Sequence, residues 1–393
     1  MMPMTLFSPL SEQLEPEGAF VYLNLAKRVP DVISFGIGQP DFKPPQEFVD
    51  AVSNALKEGI LGYAPPLGYP ELREKIAEYL NEKYGCDVRP EEVAVTVGAK
   101  SAVFMSLILL THPGSEIILP DPGFPTYECT VRFAGGRPVF CPLRDENNFK
   151  MQAEDIESLI TKYTRAILLN YPHNPTGAVL DEPELTEIIE IAKKNGLFII
   201  SDEIYEDYRY EGKHASVLQS SEWRDHCIYI SGFSKTWAVP GFRLGILVAN
   251  REIIEKIDIL ATNIYSCPPA PFQIAALKAL DIGIEWFNEV RQDYDKRRRT
   301  VIRLLSKIFK IKCVEPKGAF YVFPEISPLL KDLGYKTDDE LARAMLFEAK
   351  VLMLPGSAFP RTFGRNHLRI SYVLPREKIE EGFERLAKWM EGK

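Results

Sequence analysis

With 393 residues, 46% of them apolar, the chain is long enough for two or three domains at roughly 150 residues each and for an extensive core. A net charge of −8 without a basic stripe argues against a nucleic-acid partner, and the densest basic run, Lys296–Arg299, reads as a solvated helix face. Six cysteines without a CxxC pair suggest reduced thiols in a cytoplasmic protein; no apolar run reaches the ~20 residues of a membrane span, and the start MMPMTLFSPLSEQLEPEG lacks the pattern of a signal peptide.

From residue 91 onward, short apolar runs alternate with helical patterns. EEVAVTV (91–97) is strand-like, and GAKSAVFMSLILL after it reads as a helix opened by Gly98. EIILPDPGF (116–124), RAILLNYPHNPTG (165–177), LFIISDEIY (197–205), CIYISGFSK (227–235) and RLGILVAN (243–250) are further β-type runs, and all but the last lead into a polar or Gly/Pro-rich loop. ELTEIIEIAKKNG (184–196) is an amphipathic helix with a glycine stop. Strands alternating with helices predict an α/β sheet, largely parallel, with ligands beyond the carboxyl ends of its strands. After about residue 270 a long helical stretch, broken near Gly283, leads to CVEPKGAFYVFPEI, a helix in DDELARAMLFEAKVLMLPG, a strand in HLRISYVL and a final helix, which together read as a smaller α+β domain.

The unusual residues fall on the loop ends. Lys235 follows a strand; Arg243 nearby would disfavour its ammonium form and make the amine a nucleophile, the alternative being a surface lysine. Asp202 ends an apolar run, where a carboxylate needs a cationic partner unless it caps a helix. Asn174 in NPTG is either a ligand or an Asx turn. Gly98-Ala99-Lys100-Ser101 joins a strand to a helix and offers backbone N–H groups to an anion, although Ala94 stands where a Walker loop needs glycine. No GxGxxG or GxSxG motif is present, and the five histidines lack HExxH-like spacing, so neither a dinucleotide nor a catalytic metal is expected.

An amine, a carboxylate, a phenol, an amide and a phosphate cradle together suit pyridoxal phosphate. Nine segments then fall in one order: ISFGIGQPDFKPP (33–45), YAPPLGYPELREKIA (63–77), VTVGAKSA (95–102), PDPGFPTY (120–127), NYPHNPTG (170–177), SDEIY (201–205), GFSKTWAVPGFRLG (232–245), PKGAFYVFP (316–324) and LRISY (368–372). In this order they resemble the class I/II aminotransferases, the aspartate aminotransferase-like enzymes of fold type I, over nearly the whole chain.

The resemblance implies a large domain (46–284) with a mostly parallel seven-stranded sheet between helices. It also implies a small α+β domain (285–393) joined by the N-terminal segment 1–45. Lys235 would carry the cofactor as a Schiff base and shuttle a proton, Asp202 would pair with the pyridinium nitrogen, and Tyr205 and Asn174 would hydrogen-bond the phenolic oxygen. Phe124 would stack on the ring, while Gly98, Ala99, Lys100, Ser234 and Arg243 would hold the phosphate. Tyr63 would reach the phosphate of the neighbouring subunit, making the active unit a homodimer. Arg369, Gly38 and Asn174 would bind the substrate α-carboxylate; a bidentate Arg–carboxylate pair contributes about 1.5–3 kcal/mol.

Two departures stand out. Gly232 replaces a phosphate-binding serine, leaving Ser231 or Ser234 to supply a hydroxyl, and EPEGAF (15–20) stands where an aspartate-using branch has PSxT. The implied reaction is ping-pong transfer of an amino group to a 2-oxo acid such as 2-oxoglutarate. Lys100 matches a lysine that binds a distal carboxylate, which favours aspartate or glutamate, though it also fits a first-turn residue near the phosphate. Phe20, Tyr22 and Tyr265 would suit an aromatic or broad-range enzyme instead. A carbon–sulfur β-lyase would share the same cofactor residues.

Overall fold

The computed structural model describes residues 11–13, 16–359 and 362–393. The first ten residues, on which the signal-peptide reading rests, and Glu15 of the EPEGAF stretch lie outside them. Seven strands form the main sheet: β1 (Val93–Val97), β2 (Glu116–Asp121), β3 (Arg137–Pro142), β4 (Thr164–Asn170), β5 (Phe198–Asp202), β6 (Cys227–Gly232) and β7 (Leu244–Val248). Their spatial order is β1-β7-β6-β5-β4-β2-β3. All neighbours run parallel except β7, which is antiparallel to both β1 and β6.

The sheet explains why the strands read as continuous apolar runs, since helices cover both faces. Side chains alternate between two cores: Ile199, Ile167 and Tyr229 pack into one, and Ile200, Leu168, Ile228 and Ile230 into the other. β3 is the strand that the apolar pattern hides. It begins on an exposed Arg137, carries Pro138 and Pro142, and pairs only with β2 at the sheet edge, where proline is tolerated.

The helix Ala99–Leu110 starts at Gly98, whose φ of 75° is a left-handed conformation suited to glycine. Asp181 caps the helix Glu182–Lys194 in a capping box with Glu184. The long helical stretch does break at Gly283, between the helices Ala270–Ile282 and Phe287–Leu304. Beyond it, β8 (Tyr321–Val322), β9 (Leu354–Pro355) and β10 (Leu368–Ser371) form a small antiparallel sheet in the order β9-β10-β8. Ile33–Ser34 pairs in parallel with Val351–Leu352, tying the N-terminal segment to the C-terminal part. Among the described residues no helix is long and apolar enough to cross a membrane.

Ile200 is fully buried at the centre of the sheet. Ile200→Ala is expected to destabilise the fold by about 2–5 kcal/mol, read as a lower urea midpoint with an unchanged slope.

Candidate active site

The carboxyl ends of β4, β5 and β6 and the start of the antiparallel β7 meet at one edge of the sheet, and the small sheet supplies further residues to the same place. Lys235 lies in the turn after β6, and its Nζ donates a 2.7 Å hydrogen bond to the Gly38 carbonyl. Burial, with Arg369 and then Arg243 nearby, brings its amine down to about 8, against an opposing pull from Asp202. Arg369, near the C-terminus, therefore acts on Lys235 more strongly than the sequence neighbour Arg243.

Asp202 is the last residue of β5 and is buried; it accepts from the Tyr127 hydroxyl at 2.7 Å and from the Ile204 amide at 3.3 Å. It ends the strand and caps no helix. Burial pushes its carboxyl up to about 6, although both hydrogen bonds favour the ionised form. The buried Tyr205 exchanges a 2.9 Å hydrogen bond with the Tyr321 hydroxyl.

Asn174 and Arg369 meet directly. Arg369 donates through Nη1 to Asn174 Oδ1 at 3.0 Å and through Nη2 to the Gly36 carbonyl at 2.5 Å. Its Nε is buried with no hydrogen-bond partner among the described residues. The guanidinium lies over the rings of Tyr321 and Phe359, 4.5 and 4.8 Å from their centroids. Gly38 closes the same space: a Cβ there would come within 2.0 Å of the Tyr321 hydroxyl.

A cradle without side chains lies beside the helix Ala99–Leu110. A Cβ on Gly98 would meet Arg243 Nη2 at 2.3 Å, and one on Gly245 would meet the Ala99 nitrogen at 2.5 Å. The Ser101 amide donates to the Gly98 carbonyl at 3.1 Å, which leaves the Ala99 and Lys100 amides as the open donors expected at a helix start, so the cradle presents donors and a guanidinium together. Arg243 Nη1 donates to the Pro240 carbonyl at 2.9 Å. Gly232 has no room for a side chain, since a Cβ would meet the Leu244 carbonyl at 2.8 Å. Of the two serines, Ser231 donates to Glu206 at 2.8 Å, pointing away from the cradle, whereas Ser234 is buried in the Lys235 turn.

Lys100 turns outward from the same helix start. Its Nζ lies 4.8 Å from the centroid of the Phe124 ring and 3.1 Å from Glu17 Oε2. A cavity of about 460 Å³ adjoins this pair, lined among others by Phe104, Met105, Phe133 and Tyr265. Tyr265 thus faces a cavity, but Tyr22 is buried and donates to Asp339 at 2.5 Å, and Phe20 is largely exposed; neither is among the cavity's lining residues. Tyr63 projects from the surface, 90% exposed.

Tyr127, Tyr321 and Glu17 are site residues that the sequence reading did not single out. The first two lie inside the quoted PDPGFPTY and PKGAFYVFP segments, but their partners are 75 and 116 residues away. Behind Lys235 is a buried polar layer. Thr236 donates to Asp207 at 2.7 Å, Tyr208 donates to the Lys235 carbonyl at 3.1 Å, and Lys83 bridges Asp207 at 2.7 Å and Glu206 at 3.3 Å. Glu203, Glu206 and His214 converge in that layer, each already hydrogen-bonded to protein groups.

A mostly parallel seven-stranded sheet with a lysine, a buried acid and an anion cradle at its carboxyl edge is the arrangement of fold-type I pyridoxal phosphate enzymes. The family model "Aminotransferase class I and II" matches residues 30–386, and the chain belongs to that family. An aspartate aminotransferase of Sulfurisphaera tokodaii is 38% identical, covering 99% of each chain. An aromatic-amino-acid aminotransferase of Thermococcus litoralis is also 38% identical, covering 98% of this chain and 99% of its own. The aspartate aminotransferase of Thermus thermophilus with maleate superposes with a TM-score of 0.92 at 32% identity, covering 98% of this chain and 100% of that one.

The protein is an aminotransferase that uses pyridoxal 5′-phosphate. The residues fit that cofactor: the glycine cradle with Arg243 suits a phosphate, Asp202 is a buried acid, and Lys235 is an amine poised near neutrality.

Because an uncharged amine is the nucleophile, reaction of the cofactor-free protein with pyridoxal phosphate should speed up as pH rises through about 8 and then level off. An ordinary lysine, with a pKa near 10.4, would keep gaining rate for roughly two further pH units. Stopped-flow absorbance between pH 6 and 10 measures this.

Proposed function

We propose that Lys235 is the covalent anchor and proton carrier of an amino-group transfer from an aspartate- or glutamate-type donor to a 2-oxo acid such as 2-oxoglutarate, by a ping-pong mechanism. The observation that carries this reading is the half-buried Lys235 amine, hydrogen-bonded to the Gly38 carbonyl at 2.7 Å and brought down to about 8 beside the buried Asp202 and Arg369. The bound cofactor supplies an electron sink that makes the Cα–H bond of the substrate labile. Arg369 fixes the α-carboxylate, with Asn174 and the Gly36 carbonyl holding its guanidinium and its unpaired Nε available. Nζ of Lys235 takes the proton leaving Cα as a general base and returns it as the conjugate acid. Asp202 would hold the pyridinium nitrogen, Tyr205 and Asn174 would hold the phenolic oxygen, and Phe124 would pack against the ring. Gly98, Ala99, Lys100, Ser234 and Arg243 would hold the phosphate, and Gly38 would border the carboxylate site.

Lys100 supports a dicarboxylic donor, because its ammonium already binds one carboxylate, that of Glu17. The distal carboxylate of the substrate would take that place. The apolar cavity beside Lys100 supports a second reading, an aromatic or broad-range donor. Chain segments 1–45, 46–284 and 285–393 are read as an N-terminal segment belonging with the small domain, a large cofactor domain and a small domain; the pairing of Ile33–Ser34 with Val351–Leu352 supports the first assignment. The exposed Leu61, Tyr63 and Ile264 support a homodimer in which Tyr63 reaches the phosphate of the other subunit.

Lys235→Ala is expected to retain cofactor binding while amino transfer to 2-oxoglutarate falls at least 10³-fold, that is, by about 4 kcal/mol or more in barrier; full activity in this variant would remove the assignment. A panel of donors ranked by kcat/KM decides the substrate. With a dicarboxylic donor, Lys100→Ala should raise KM for aspartate by about tenfold, the loss of one charge-assisted contact, and leave phenylalanine almost unchanged. Equal effects on both donors would favour the aromatic reading.

A further inference from the structure

Tyr321 opens β8, and the register of β8 with β10 sets it opposite Ser371. Arg369 lies two residues back along β10, on the same face of the small sheet. The aromatic ring of Tyr321 therefore lies under the Arg369 guanidinium, 4.5 Å away, while its hydroxyl reaches Tyr205 at 2.9 Å. The phenol is 2% exposed, and Gly38 leaves its hydroxyl just enough room. The Gly38 carbonyl in turn accepts from Lys235 Nζ at 2.7 Å. One side chain thus touches Tyr205, Gly38 and Arg369, which act on the cofactor oxygen, the lysine and the substrate carboxylate respectively.

A phenol has a single proton to donate. When Tyr205 gives that proton to the ring oxygen of the cofactor, its own oxygen can only accept, and the buried partner within reach is the Tyr321 hydroxyl. We propose that Tyr321 is a positioning residue of this enzyme, donating to Tyr205 so that Tyr205 is polarised towards the cofactor oxygen, while the face of its ring seats Arg369. The inference rests on the assignment of Lys235 and Tyr205 above. Hydrogen bonds in series reinforce one another in a water-poor site. Removing the first donor would weaken the second and leave more negative charge on the ring oxygen, so that a proton held near that oxygen would be lost only at a higher pH.

The ring and the hydroxyl have separable jobs, so two substitutions test them on the holoenzyme. Tyr321→Phe keeps the ring over Arg369 and removes the hydroxyl. Its expected result is an upward shift of about half a pH unit or more in the midpoint of the cofactor's visible absorbance change, roughly threefold in the proton equilibrium. Binding of maleate, a dicarboxylate probe, should stay within about twofold of wild type. Tyr321→Leu removes both features and should shift the midpoint and also weaken maleate about fivefold or more, through loss of the stacked face. In a Tyr205→Phe background, Tyr321→Phe should add no further shift, because its effect passes through the Tyr205 hydroxyl. An unchanged midpoint in Tyr321→Phe, or an equal shift in the Tyr205→Phe background, overturns the proposal. A wild-type protein with no titratable visible band when loaded would instead sink the Lys235 assignment, and this inference with it.

Discussion

A lysine amine in a water-poor pocket beside two guanidinium groups favours its uncharged form, and the site is organised around that tension. Burial and the positive charges of Arg369 and Arg243 push the Lys235 proton off, while Asp202 pulls the other way. In this chain both arginines are assigned to anions, one to a phosphate and one to a carboxylate. An anion that pairs either of them weakens its push on Lys235, so the basicity of the amine follows what is bound. The same balance affects folding. Because the folded amine gives up its proton near pH 8 rather than near 10.5, the unfolded chain binds more protons in that window and stability rises with pH across it; below it, holding the charge is a cost.

The polar layer behind the active site keeps this reactive side chain in register. Tyr208 donates to the Lys235 carbonyl, Thr236 donates to Asp207, and Ser231 and Tyr229 donate to Glu206, so the turn is fastened by its backbone and both flanks. Lys83 supplies the counter-charge for Glu206 and Asp207. Along the segment 202–208, Asp202 and Tyr205 face the Lys235 amine, while Glu203, Glu206, Asp207 and Tyr208 face the support. One short loop thus serves both the chemistry and its scaffold.

Much of this was legible in the sequence, for local reasons. Six of the seven main strands are apolar runs of strand length, the helix after Gly98 follows its turn, and the break at Gly283 marks itself. β3 escaped because an edge strand with two prolines and half-exposed residues lacks the buried-run pattern. Lys235, Asp202, Asn174 and Arg243 sit on loop or strand ends where a polar group looks out of place, and the sheet edge gathers them, whereas Arg369, inside β10 of the small sheet, came only from the resemblance. Tyr321 and Tyr127 did not stand out, since an aromatic in an apolar segment reads as core until its hydroxyl is seen to have a partner. The Lys100–Glu17 pair spans 83 residues, and nothing in either local segment announces the other.

The reversed strand β7 has a consequence for how this site can vary among related chains. A parallel neighbour to β6 would need a crossover of a dozen or more residues, usually through a helix, and would enter the sheet at the opposite edge. The antiparallel return instead brings the chain back after the eleven residues between Gly232 and Leu244, with Gly232 and Gly245 in register. Lys235 and Arg243 are therefore carried on one hairpin, and their separation is set by loop length rather than by the packing of distant elements. Insertions that other surface loops would absorb would here pull Lys235 away from Arg243, the cation assigned to the phosphate. Sequence drift in this protein is thus expected to concentrate in side-chain identity around the hairpin while its residue count stays fixed.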